Sequence, residues 1–173
     1  MTVVGSPRRL HSRVNVLSAD PVRSRMTDAD DAPSKLGHVH LKVRDVDDSV
    51  AFYRDVLGLS VTERYANYAF LTFGDHHHDV ALQAVGPEAS GPRMGVGLYH
   101  TAFEVESPDA LRRTAERLSD RGVSVTPVDH RISKALYFDD PDGNGVEVYL
   151  DTREETGHEE WHGENGRFDP QSL

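Results

Sequence analysis

Two stretches of the chain alternate strictly between apolar and polar positions. In 38–43, Val39, Leu41 and Val43 fall on one side and His38, His40 and Lys42 on the other. In 100–105, Thr101, Phe103 and Val105 oppose His100, Ala102 and Glu104. A helical period follows each stretch. The first helix is expected to start at an Asp45/Asp47 cap, to carry Val50, Phe52, Tyr53 and Val56, and to stop at Gly58. The second follows Ser107-Pro108, carries Leu111, Ala115 and Leu118, and ends near Gly122. Three short strand-like runs come after each helix, at 59–65, 68–73 and 78–84, then at 123–128, 134–139 and 145–150. The order β-α-β-β-β thus occurs twice, in modules of about 36–84 and 98–150 within a domain of 36–150. The expected class is α+β: two βαβββ modules forming a curved, cup-like mixed sheet with the helices outside.

The flanks carry no such pattern. Residues 1–35 contain Pro7, Pro21 and Pro33 and no sustained apolar period, and are expected to be a disordered N-terminal tail. The first 25 residues hold five Arg and one acid, Asp20. A transit peptide ranks behind translation starting at Met26 as the explanation. Residues 151–173 read as an acidic C-terminal tail in which Trp161 is an anchor or a lid.

Composition narrows the chemistry by exclusion. There are 29 acidic and 19 basic residues, a formal charge of −10, which argues against nucleic acid and anionic membrane as partners. Cysteine is absent, so thiol catalysis and zinc–cysteine sites are excluded. No apolar run approaches the roughly 18 residues that a membrane span needs, and a cytoplasmic location is expected. Removing residues 1–25 leaves −14, a charge suited to a halophilic cytoplasm.

Parity in the later strands sharpens the picture. Ala135, Tyr137 and Asp139 leave the helix side of 134–139, as do Glu147 and Tyr149 in 145–150. His38, His100 and Glu147 therefore share the non-helix face, which lines a cup if the two sheets curve together. Four segments carry a family resemblance: Gly37-His-Val-His-Leu-Lys-Val-Arg-Asp, Ser49-Val-Ala-Phe-Tyr-Arg-Asp-Val-Leu-Gly, Tyr99-His-Thr-Ala-Phe-Glu-Val, and Tyr137-Phe-Asp-Asp-Pro-Asp-Gly-Asn-Gly-Val-Glu-Val-Tyr. Over nearly all of 36–150 the chain resembles the vicinal-oxygen-chelate superfamily. Its members include glyoxalases, fosfomycin-resistance proteins, bleomycin-binding proteins and extradiol dioxygenases. The resemblance implies the glyoxalase/dioxygenase-like fold and a divalent metal on His38, His100 and Glu147. Two imidazoles and one carboxylate leave coordination positions open, a set suited to Fe(II), with Mn(II) as the alternative. His40 shares the face and ranks behind His38, which directly follows Gly37.

The subfamily that the chain resembles most is the catechol 2,3-dioxygenase-like extradiol enzymes. The run at 78–85 ends without a Glu, with Gln83 the nearest polar residue, which argues against a four-ligand glyoxalase I site. No cluster of Lys and Arg offers to hold a phosphonate. His78-Asp-Val-Ala-Leu resembles the strand carrying the acid–base histidine of the extradiol enzymes. Asp129-His-Arg-Ile-Ser-Lys-Ala-Leu-Tyr resembles the segment that supplies substrate contacts, here His130 and Tyr137. A catechol must lose a proton on chelation and O2 must later gain one, work that suits a near-neutral histidine. His130 and Tyr137 would hydrogen-bond the substrate oxygens. The resemblance implies ring cleavage of a small catechol-like aromatic with O2, and it allows a homodimer. The rivals are a lyase, isomerase or thiol transferase on the same scaffold, and a non-catalytic aromatic-ligand binder.

Overall fold

The alternation at 38–43 becomes strand β1 (Val39–Val43), and that at 100–105 becomes β5 (Thr101–Glu104). A computed structural model describes residues 33–92 and 95–173, so most of the expected tail at 1–35 lies outside the described residues. Between β1 and β5 run α1 (Val46–Leu57), β2 (Ser60–Tyr65), β3 (Tyr68–Thr72) and β4 (Val80–Ala84). After β5 come α2 (Pro108–Asp120), β6 (Thr126–Asp129), β7 (Ser133–Asp139), β8 (Gly145–Asp151) and a short α3 (Arg153–Thr156). All of these fall in the unit Gly37–Leu173.

The helix limits have local causes. The Asp45 carboxylate accepts from the backbone N–H groups of Asp47 (2.7 Å) and Asp48 (3.1 Å). Gly58 ends α1 at φ 78°, a left-handed conformation in which its N–H reaches the Arg54 carbonyl. Ser107 caps α2, with Pro108 in its first turn. The strand expected at 123–128 is instead β6 at 126–129. The Val123 N–H donates to the Leu118 carbonyl (3.0 Å), so 123–125 finish the helix end rather than joining a ladder.

The protein is α+β, with two four-stranded mixed sheets of identical plan, β1-β4-β3-β2 and β5-β8-β7-β6. The β1–β4 and β5–β8 pairs are parallel and the others antiparallel. Leu41, Val43, Leu71 and Leu82 from the first sheet and Leu136, Val146 and Val148 from the second enter one core with both helices. The helices also touch directly: Arg117 Nε donates to the Val56 carbonyl (2.9 Å), and Arg121 pairs with Asp55. Because both sheets turn their apolar sides to this shared core, their opposite faces look away from it.

The turn Asp140-Pro-Asp-Gly-Asn locks the modules together. Buried Asp140 accepts from the Tyr53 hydroxyl of α1 (3.1 Å), from the N–H groups of Asp142 and Asn144, and from Asn144 Nδ2. Burial, then the nearby Asp140 charge, push the Tyr53 hydroxyl well above the ordinary phenol range. Asp140→Ala is expected to destabilise the protein by about 2–4 kcal/mol, since the buried Tyr53 hydroxyl and three half-buried donors lose their acceptor. Denaturant unfolding should show a lowered midpoint with an unchanged slope; a shift below about 0.5 kcal/mol would refute the lock.

The segment read as an acidic tail returns to the second module. The Asp129 N–H donates to the Gly166 carbonyl (3.0 Å), and the Gly166 N–H to the Asp129 carbonyl (2.7 Å). Phe168 and Leu173 pack against the core, and Lys134 lies over the Phe168 ring. Among the described residues no helix is long and apolar enough to cross a membrane.

Candidate active site

Register alone gathers three of the expected residues. Antiparallel β7–β8 pairing sets Tyr137 opposite Glu147, and parallel β5–β8 pairing sets Ala102 opposite Glu147. His100, two residues before Ala102, falls on the same face. Glu147 is 9% exposed, and both its oxygens are engaged. Oε2 lies 2.8 Å from His100 Nε2, and Oε1 accepts from the Tyr137 hydroxyl at 2.9 Å. Burial, with Glu147 as bond partner, pushes the Tyr137 hydroxyl far up, so it remains a protonated donor. Gly145 makes this approach possible: a Cβ there would overlap the Tyr99 carbonyl oxygen and crowd His100.

His130 extends the chain of contacts. It directly follows β6, in a turn where Arg131 takes φ 72°, a left-handed conformation that turns the backbone back into β7. His130 Nε2 lies 2.9 Å from the Tyr137 oxygen. Nδ1 lies 2.6 Å from Asn165 Oδ1. The continuous order is Asn165, His130, Tyr137, Glu147, His100. Asn165, His130, Tyr137 and His100 border a cavity of about 720 Å³ that also meets Tyr99, Val128, Phe138, Val146 and Trp161, and Glu147 lies behind Tyr137 and His100. His100 Nδ1 is buried without a hydrogen-bond partner.

The first sheet holds the other two expected residues. The His38 and His78 rings lie 4.5 Å apart, and Phe70 meets His78 edge-on. His77 Nδ1 is 2.9 Å from His78 Nδ1. Burial lowers the His78 pKa below its ordinary value, and the charges of His38 and His77 lower it further, favouring the neutral base. His40 packs against Tyr68.

The six residues read from the sequence are therefore brought together as two sets, not one. His100, Glu147, Tyr137 and His130 gather on the second sheet, while His38 and His78 gather on the first. Among the described residues no group of three His, Cys, Asp or Glu could hold one metal ion. His100 and Glu147 fit two positions of a divalent-ion site by donor chemistry, and the third expected donor is not with them. Asn165 was missed by reasoning from sequence. Its only signal is the turn dipeptide Asn165-Gly166, whose glycine forms the bridge to Asp129.

Residues 35–148 match the model of the Glyoxalase/Bleomycin resistance protein/Dioxygenase superfamily. A Catechol-2,3-dioxygenase of Bacillus subtilis (strain 168) is 34% identical over 118 residues, 67% of this chain and 41% of that protein. Glutathione transferase FosA of Serratia marcescens is 33% identical over 119 residues, 66% of this chain and 79% of that protein. The chain spans 41% to 64% of the length of three dioxygenase relatives. A glyoxylase/bleomycin resistance protein/dioxygenase domain from Frankia sp. EAN1pec aligns with TM-score 0.59 and 27% identity, covering 69% of this chain and 93% of that one.

Proposed function

The chain belongs to the Glyoxalase/Bleomycin resistance protein/Dioxygenase superfamily, and on that premise we propose that it is a metal-dependent extradiol dioxygenase. It would open a catechol-like ring with O2, using Fe(II) or, alternatively, Mn(II). The observation that carries this reading is the run His130–Tyr137–Glu147 beside His100, of which His130, Tyr137 and His100 line one cavity. His100 and Glu147 would hold the ion together with His38. The ion would supply Lewis acidity and a redox partner for O2.

His38 would come from a second copy of the chain. Each copy has an outward pair on one sheet and an outward single donor on the other, so two copies face to face complete two sites. Leu98 and Tyr99, 73% and 86% exposed beside His100, supply apolar surface for such a contact. The contact that delivers His38 also delivers His78, because their rings touch. His78, neutral and basic, takes a hydroxyl proton from the diol at a ring nitrogen. With Glu147 committed as a ligand, the Tyr137 hydroxyl would be released from it, and Tyr137 and His130 would hydrogen-bond the substrate oxygens and orient the ring. Val128 borders the same cavity and keeps water from part of it.

The test is anaerobic loading with Fe(II), then exposure to a panel of catechols in air. The reading expects a yellow ring-fission product with one O2 consumed per product. An Fe-loaded protein that consumes no O2 on any of them contradicts it. Thiol transfer is the second reading, favoured by the greater share of FosA that this chain spans. The cavity lining bears no Lys or Arg among the described residues, which leaves a phosphonate without a cationic partner. Product formation with Zn(II) or Ni(II) and no O2 uptake would favour the transferase.

A further inference from the structure

The cavity beside Glu147 has a wall that the reaction does not require. His100, Tyr137 and His130 line the cavity, and beside His130 the C-terminal segment brings Trp161, whose indole meets the His130 ring edge-on at 6.4 Å between centroids. That segment is tied at both ends. The Thr152 N–H donates to the Ile132 carbonyl (2.9 Å), and Gly166 exchanges two backbone hydrogen bonds with Asp129. Trp161 itself is held by its Nε1–H, which donates to the Glu164 carbonyl (3.2 Å), while Asn165 grips His130. Residues 157–164, between the ties, are exposed. A large apolar ring, 54% exposed and fixed at the mouth of a cavity, is surface that waits for a ligand to cover it.

We propose that Trp161 is the specificity-determining wall of the site, selecting aromatic diols that carry an apolar ring substituent over the bare diol. This rests on the dioxygenase reading for the diol end of the ligand. The diol oxygens sit at Tyr137 and His130, and a substituent on the ring extends along Val128 to stack against the indole. A tied segment lets the wall act without first ordering, so selectivity appears in binding as well as in turnover. An indole–aryl contact of this kind gives roughly a tenfold preference.

Trp161 is the only tryptophan in the chain, so its emission reports the wall directly. Catechol and 3-phenylcatechol are titrated anaerobically into the Fe(II)-loaded full chain, following Trp161 emission and binding heat, and both are then assayed for ring cleavage. We expect 3-phenylcatechol to quench Trp161 and to bind about tenfold more tightly than catechol. In Trp161→Ala the ratio should fall to within about threefold, and Trp161→Phe should restore most of it. A ratio unmoved by Trp161→Ala, with catechols still cleaved, overturns the wall and leaves the dioxygenase reading intact. Quenching and selective binding without cleavage keep the wall and overturn the dioxygenase reading. Absence of binding by either diol overturns both.

Discussion

Glu147→Gln is expected to reduce ring cleavage on the order of 10³-fold, since a lost anionic metal ligand is worth several kcal/mol in the transition state. Glu147 sits at the centre of the site, with His100 on one oxygen and the Tyr137 hydroxyl on the other. Glutamine has nearly the same shape but lacks the charge, and its amide NH2 must face either His100 or the Tyr137 hydroxyl. Folding should change by only about 1 kcal/mol, because Tyr137 retains an acceptor. Activity and metal affinity, the latter from competition with a chromophoric chelator, should fall together. If the variant keeps activity within tenfold of the wild type, Glu147 is not a ligand.

His38→Ala is expected to cause a loss of similar size with no cost to folding. Its side chain lies outside the shared core at the head of β1, so stability should move by less than about 0.5 kcal/mol. Loss of activity without loss of stability separates a functional group from a packing one. Retained binding of an aromatic diol at undiminished affinity, in a protein whose wild type cleaves nothing, would instead favour the sequestering protein.

Much of this site could be read in the chain, and the unread part has a physical cause. Period-two alternation correctly grouped His100, Tyr137 and Glu147 on one face, because a strand's side-chain direction is a local property. The same rule identified the polar side of β1. The division of the donors into two sets was not legible. It follows from contacts between distant residues, such as Arg117 with Val56 and Tyr53 with Asp140, which fold both helices into one core and turn the polar faces outward. No periodicity encodes such packing. The start of β6 was misjudged because Val123 and Val125 look like strand residues yet are recruited by the helix end and core. Asn165 was hidden in an acidic stretch, where only its position across from His130 makes it informative.

The central claim is that one copy supplies His100 and Glu147 and another supplies His38. It is tested most directly by mixing the two inactive variants, His38→Ala and Glu147→Gln. After dissociation and reassociation of equal amounts, with mixed dimers verified by differential tagging, half of the dimers should be mixed. Each mixed dimer has one intact site and one doubly broken site, so about a quarter of wild-type activity should return. Activity that stays at the level of the separate variants, in a sample shown to contain mixed dimers, contradicts the claim.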